Sequence, residues 1–252
     1  MKNKILLTVV LTTALTMSTF IIHACRKKNQ PSSVTDGRVP LNYLNAWSTG
    51  TDYDDLIVIW NDRWYDVFSN TYSDDAQVVA GMARPTLADL FINNDSIPHD
   101  SFFHINKLDS RLVSGIFGNQ ISISSSGGKG YTSFNKMIYA PKNLNISLSG
   151  VTNQEIKRAS GFRVSWNVDV LNKNDIVVVL KSDVNPNLYF SKFVKDNSGS
   201  YSFTASDLSV FPPNEEVRIY LARGTEETYT QGSRTMAIRI GNLITCPSMT
   251  IR

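Results

Sequence analysis

Phe162-Arg163-Val164-Ser165-Trp166-Asn167 alternates apolar and polar side chains at every position. A period of two places Phe162, Val164 and Trp166 on one face of an extended chain and Arg163, Ser165 and Asn167 on the other, which predicts a half-buried β-strand. The same pattern recurs downstream. Ile176 to Leu180 is a solid apolar run, Val217, Ile219 and Leu221 alternate with Arg218, Tyr220 and Ala222, and Met236, Ile238 and Ile240 alternate with Ala237 and Arg239. Asn172-Lys173-Asn174, Asn185-Pro186-Asn187 and Asp196-Asn197-Ser198-Gly199 lie between these runs and supply turn chemistry. Gly241-Asn242 reads as a further turn into a last strand near Leu243 to Ile251.

The N-terminal half follows the same logic with weaker contrast. Leu56 to Trp60 is short and apolar, as in a buried strand, and Asn61-Asp62-Arg63 reads as a turn into Trp64 to Phe68, hence a hairpin. Ser73 to Met82 fits a helix or a strand. Leu87 to Ile92, Phe102 to Ile105 and Gln120 to Ser124 read as short strands, with a turn at Asn93-Asn94-Asp95. Short strands with regularly spaced turns predict an all-β fold of two consecutive immunoglobulin-like antiparallel β-sandwiches. Pro141-Lys142-Asn143 is the expected border between them, so the expected organisation is 1–24 signal peptide, 25–40 tether, 41–140 first sandwich and 141–252 second sandwich.

The N-terminus carries an address. Met1 to Lys4 is basic, Ile5 to Ile22 is uncharged and mostly apolar, and Ile22-His23-Ala24-Cys25 follows. This resembles the bacterial lipobox, in which a small residue lets a peptidase approach and the cysteine thiol takes the lipid; His23 stands where a small residue is usual. Cys25 is the expected lipidation site, the covalent lipid there is the only cofactor expected, and several acyl chains would hold the protein firmly to a membrane. An uncleaved membrane helix and plain secretion stay open as alternatives. Against the helix, the stretch is rich in threonine, and Arg26-Lys27-Lys28 opposes the orientation that an exported body requires. Residues 26–40 lack apolar periodicity and are rich in Pro, Ser, Asn and Gly, as a flexible tether would be.

Charge follows that division. The whole chain is +3; without Lys2 and Lys4 it is +1, and from residue 29 onward it is −2. The basic excess is therefore local to the membrane end, and the body offers no basic face for a nucleic-acid partner. Hydrophobic residues at 42% and charged residues at 19% are globular proportions. Cys246 has no plausible disulfide partner in Cys25 and reads as a small buried hydrophobe.

Leu90-Phe91-Ile92-Asn93-Asn94 with Ile97-Pro98, Phe117-Gly118-Asn119, Tyr139-Ala140-Pro141-Lys142 and Gly161-Phe162-Arg163-Val164-Ser165-Trp166-Asn167 together resemble a type of exported lipoprotein common in the Bacteroidetes, built from two immunoglobulin-like sandwiches. The resemblance covers the mature chain and implies a fold and an outer-membrane address, periplasmic or surface-facing. It implies no activity. Surface-exported members often carry acidic residues just after the lipid cysteine, where this chain has Arg26, Lys27 and Lys28.

Catalytic signatures are sparse. Beyond the export segment the histidines are His99 and His104, with no His-Glu-x-x-His and no cysteine pair for zinc. Ser133-Phe134-Asn135-Lys136 matches Ser-x-x-Lys without the partner motifs of penicillin-binding enzymes. Ser124 to Gly130 is rich in Ser and Gly but lacks the spacing of a phosphate loop. The pairs Asp54-Asp55, Asp74-Asp75, Glu215-Glu216 and Glu226-Glu227 place neighbouring acids on opposite faces of a strand, so none is a ready-made dyad. Trp47, Trp64 and Tyr65 are the candidate binding residues, because aromatic rings on a sandwich surface stack on sugars or anchor a protein partner. The expectation is a non-enzymatic, membrane-anchored envelope protein that binds a glycan or another protein. The alternative is a hydrolase whose carboxylates meet only in the fold.

Overall fold

The computed structural model describes residues 54–66, 71–82, 89–97, 104–108, 110–128, 132–185 and 187–252. The expected signal peptide and tether, with Cys25, and Trp47 lie outside the described residues. The fold is all-β, and the sandwiches share a sheet.

That shared sheet is built around four long strands. β1 (Asp55–Asp66) lies between β2 (Thr71–Met82) and β16 (Arg234–Thr245), and β15 (Glu216–Gln231) follows β16. β5 (His104–Lys107) closes the β2 edge. β12 (Asp175–Ser182) with β13 (Tyr189–Lys195), and β17 (Met249–Ile251) with β10 (Glu155–Ile156) and β9 (Val151–Thr152), extend the other side. Two smaller sheets pack on it. One contains β3 (Phe91–Ile92), β4 (Asp95–Ser96), β6 (Gln120–Ser125) and β7 (Phe134–Tyr139); the other contains β8 (Ile146–Ser149), β11 (Phe162–Trp166) and β14 (Ser200–Phe203). In the second lobe, β8-β11-β14 faces β13-β12-β15-β17, the sheet division of an immunoglobulin-like sandwich.

Each lobe has its own apolar cluster. Ile57, Ile59, Ile92, Ile121, Ile138, Ile238 and Ile240 belong to the first; Val164, Trp166, Ile176, Leu180, Ile219, Ile244 and Cys246 belong to the second. Burying a large apolar side chain of this kind contributes roughly 1.5–3 kcal/mol relative to exposure. β1 and the β15–β16 hairpin therefore serve both cores. Met236, Ile238 and Ile240, which lie after the expected border at 140/141, pack in the first cluster, and Tyr65, which lies before it, packs in the second.

Two of the expected turns are mid-strand. Asn61-Asp62-Arg63 continues β1 without a break, and Gly241-Asn242 continues β16. The two sites are neighbours, since Trp60 pairs with Gly241 and Asn61 with Asn242. Asn61, Arg63 and Asn242 fill an interior layer between the two cores instead of bending the chain, while Asp62 faces outward. β1 also runs parallel to β16 over ten register pairs, as β10 does to β17, a departure from a purely antiparallel sheet. Ser73 to Met82 resolves as strand, and Ser110–Ile116 forms a short helix, α1, that the alternation pattern does not announce. The turns at Asn93-Asn94 and Asp196 to Gly199 are present; Asn93 and Asn94 adopt φ of 52° and 68°.

Candidate functional site

The pleat of β1 sorts its aromatics. Ile57, Ile59, Asn61, Arg63 and Tyr65 face the cores, whereas Trp60, Asp62 and Trp64 face outward. Tyr65 is 5% exposed, stacked on Tyr72 with ring centroids 5.0 Å apart, and so is a core residue and not a surface contact. Trp64 is 42% exposed and, of the two expected binding residues among the described ones, is the one at the surface.

Around Trp64 the outer face combines aromatic and polar groups. Trp64 and Tyr220 both pair with Thr245, which puts one strand between the two aromatics. The Arg218 guanidinium lies 5.4 Å from the Trp64 ring centroid, an attraction to the negative face of the ring. Arg218 also donates to Asp183 at 3.0 Å, and Ser248 Oγ donates to the same carboxylate oxygen at 2.7 Å. Burial, then the nearby Arg218 and Asp183 charges acting in opposite senses, leaves the Tyr220 phenol with a raised pKa. Further along the face, Trp60 Nε1 donates to Asp62 at 2.8 Å, and the Trp60 ring lies over Gly241, where an added Cβ would come within 2.5 Å of it. Trp60, Tyr220 and Phe193 pack against Val177, Val179, Ala222 and Leu243, which makes the aromatic face a continuous, supported surface.

A second polar assembly is sealed inside. Asn61, Asn242 and Arg223 stand abreast on β1, β16 and β15, each fully buried. The chain between the lobes passes along this layer and its backbone is held at successive residues. Asp169 accepts from Tyr139 Oη at 2.9 Å and from Lys142 N at 2.8 Å; Lys142 O accepts from Arg223 Nη1 at 3.0 Å and Asn242 Nδ2 at 3.2 Å. Leu144 N donates to Asn242 at 2.9 Å, Arg63 donates to Leu144 O, and Ile146 N donates to Tyr72 Oη at 2.7 Å. Burial, followed by the hydrogen bond to Asp169 and that carboxylate's charge, pushes the Tyr139 pKa well above the ordinary phenol value.

This layer is also where the fold brings two carboxylates together. Asp169 and Asp196 are 1% and 3% exposed. Asp196 accepts from Arg223 at 2.8 Å and Asn172 at 2.9 Å, and Asp169 N donates to it at 3.3 Å. Both acids commit their oxygens to fold contacts, and the arrangement acts as a joint that fixes the connecting chain.

The other sequence candidates are dispersed. His99 lies outside the described residues, and His104 is in β5. Ser133 is exposed, and Lys136 Nζ lies 4.6 Å from the Tyr229 ring centroid. Ser125 and Ser126 are tied to Asp89, which closes the start of the Ser-Gly loop on itself. Asp54 caps Thr235 N at 2.9 Å, Glu215 accepts from Ser182, and Glu226 forms a buried ion pair with Arg239. Cys246 is fully buried, and burial raises its thiol pKa far above the usual range. Among the described residues, no group of three or more His, Cys, Asp and Glu is placed to hold a metal ion.

Arg218, Tyr220, Thr245 and Asp183 were not singled out from sequence. The alternation of Val217 to Ala222 did put Arg218 and Tyr220 on an outward face. What sequence could not supply was the parallel pairing that brings β1, and Trp64, to the same sheet.

No family model matches the chain, and no curated protein matches it. Among solved structures, the chain is similar to the chicken CNTN1 FN1-FN3 domains, with 8% identity and a TM-score of 0.24 over 73% of this chain. The match spans 62% of that structure's length. Among the described residues, no helix is long and apolar enough to cross a membrane.

Proposed function

We propose that this chain is an exported envelope lipoprotein, anchored to the outer membrane through lipid on Cys25, that binds a glycan or a protein partner without chemical turnover. The observation that carries the binding reading is Trp64, a large aromatic ring 42% exposed on a well-packed sheet and steadied by Arg218. Leaving such a ring in water forfeits the stabilisation its burial would give, and a rigid aromatic is an effective anchor because little side-chain freedom remains to be lost on binding. The lipid anchor is supported by the Ile22-His23-Ala24-Cys25 pattern and by the basic cluster that follows it.

The binding reading is tested by comparing the wild-type chain with Trp64→Ala on a glycan array and in pull-downs from envelope extract. Loss of a captured ligand in the variant, with the melting transition unchanged, supports it; identical capture profiles overturn it. Turnover of any polymer, abolished by changing one carboxylate while folding is kept, overturns the non-enzymatic reading. For the anchor, Cys25→Ala is expected to accumulate precursor and lose labelling by a palmitate analogue, and labelling that persists contradicts it.

A further inference from the structure

Resting on the reading of the Trp64 face as a binding surface, we infer that its ligand is an uncharged, extended β-1,4-linked polysaccharide. The chain would be gripped internally and would run across the strands from Trp64 to Tyr220.

Three observations carry this. The first is spacing. Trp64 and Tyr220 both pair with Thr245, so their Cα atoms are separated by two strand spacings, about 10 Å. In an extended β-1,4-linked chain each sugar is turned by roughly half a turn from the last. Alternate sugars therefore present the same apolar C–H face, one disaccharide length apart, which matches two aromatics on one side of the chain with a small polar residue between them. Thr245 is that residue, half-buried and without bulk that would lift the middle sugar.

The second is charge. Arg218 on β15 lies opposite Lys181 on β12 and close to Asp183. Arg218 and Asp183 are already paired at 3.0 Å. The charge nearest Trp64 is thus neutralised by its own partner, which suits a neutral ligand and not a uronic-acid or sulfated polymer. The paired groups still offer what sugar hydroxyls need: planar donors on Arg218, a carboxylate acceptor on Asp183 and the Ser248 hydroxyl already aimed at it.

The third is shape. The two aromatics and Thr245 lie on regular, paired strands of a sheet, and Tyr220 packs on the supported apolar cluster beneath. A platform laid out along the sheet favours the middle of a long chain, which contacts both aromatics at once, over a single sugar or a chain end.

The test uses the full-length chain purified in detergent and titrated with cellohexaose, chitohexaose, maltohexaose, polygalacturonate and glucose. The expected result is binding of cellohexaose or chitohexaose, at least tenfold weaker binding of the matching disaccharide, and affinity little changed between low and high salt. Trp64→Ala and Tyr220→Ala are each expected to weaken binding about tenfold or more, the scale of one lost aromatic stack. Because Tyr220→Ala could disturb packing, Thr245→Arg provides a second probe that obstructs the middle sugar while both aromatics remain. Equal affinity for maltohexaose, preference for polygalacturonate with loss in salt, or Thr245→Arg binding like wild type overturns the inference while leaving Trp64 as a binding residue. Binding of none of these sugars overturns the inference too; the wider reading then stands or falls by whether Trp64→Ala abolishes capture from envelope extract.

Discussion

Asp196 and Arg223 form an ion pair 2.8 Å long with side chains 2% and 0% exposed, in the layer that separates the two apolar cores. Taking both charges out of water is costly, and Asn172, Lys142 O and Asn167 O offset part of that cost with further hydrogen bonds, while Arg223 Nε stays without a partner among the described residues. Removing one partner strands the other charge. Arg223→Ala and Asp196→Ala are each expected to destabilise the fold by about 3–5 kcal/mol, with a double variant costing clearly less than the sum. Urea melts of the four proteins check this; strict additivity would mean the two residues do not act as a pair.

The shared sheet sets a limit on dissecting the molecule. A fragment of residues 141–252 keeps most of the second cluster but loses β1, so the apolar side chains of Met236, Ile238 and Ile240 lose their partners and Asn242 loses Asn61 beside it. The fragment is expected to aggregate or melt without cooperativity, whereas residues 41–252 melt in a single transition. A sharp, reversible melt for the fragment would show that the hairpin end is dispensable.

Gly241 is expected to resist substitution. A Cβ there would lie 2.5 Å from the Trp60 ring and 2.8 Å from Arg223 O, and backbone in a sheet centre cannot give way cheaply. Gly241→Ala should cost roughly 1–3 kcal/mol, as overpacking does, and should alter tryptophan fluorescence through Trp60. Wild-type stability in that variant would contradict the close approach.

Alkaline pH should weaken the fold, because two half-buried phenols ionise more readily in the unfolded chain than in the folded one. Tyr139 is held protonated chiefly by burial, with Asp169 adding to it, and Tyr201 is pushed up to about 12 by burial and then by Asp207. A phenol whose folded pKa exceeds its unfolded value of 10.0 stabilises the fold fully below pH 10 and progressively less as pH rises toward the folded value. The melting temperature is therefore expected to fall above about pH 10, and Tyr139→Phe to flatten that fall while lowering stability at neutral pH.

Cys246 should be silent toward thiol reagents. In a Cys25→Ala chain it is the sole cysteine, and it is fully buried with its thiol pKa raised by that burial. Maleimide labelling is expected only after unfolding, so its rate reports global opening. Fast labelling of the native protein would contradict the packing of the second core.

How far the sequence could be read depends on what each polar residue was doing. Where polar residues faced water, as Arg163 and Ser165 do opposite Val164 and Trp166, alternation located the strand correctly. Where they faced inward, the same vocabulary misled. Asn61-Asp62-Arg63 and Gly241-Asn242 have turn composition, yet they lie side by side in the sheet, and Asn61, Arg63 and Asn242 form the interior joint. Local sequence cannot separate a polar residue that ends a strand from one whose partner lies about 80 to 180 positions away, as for Arg63 with Leu144 and for Asn61 with Asn242. The candidate site divided the same way. Pleat alternation alone distinguishes Trp64 from Tyr65, but the placement of Tyr220 beside Trp64 requires the parallel register of β1 on β16.

That parallel register has a mechanical consequence. Asp54 is fastened to Thr235 by bonds of 2.7 and 2.9 Å where the chain enters β1, and ten residues then run alongside β16 in the same direction while β2 flanks the whole strand. Tension entering from the N-terminal side pulls β1 lengthwise past both neighbours, so the cross-strand bonds share the load in shear and cannot be broken in succession. A molecule tugged between its N-terminus and a ligand held on the outer face should yield only at forces well above those that peel a hairpin open, and single-molecule pulling from residue 54 against Arg252 would measure that resistance.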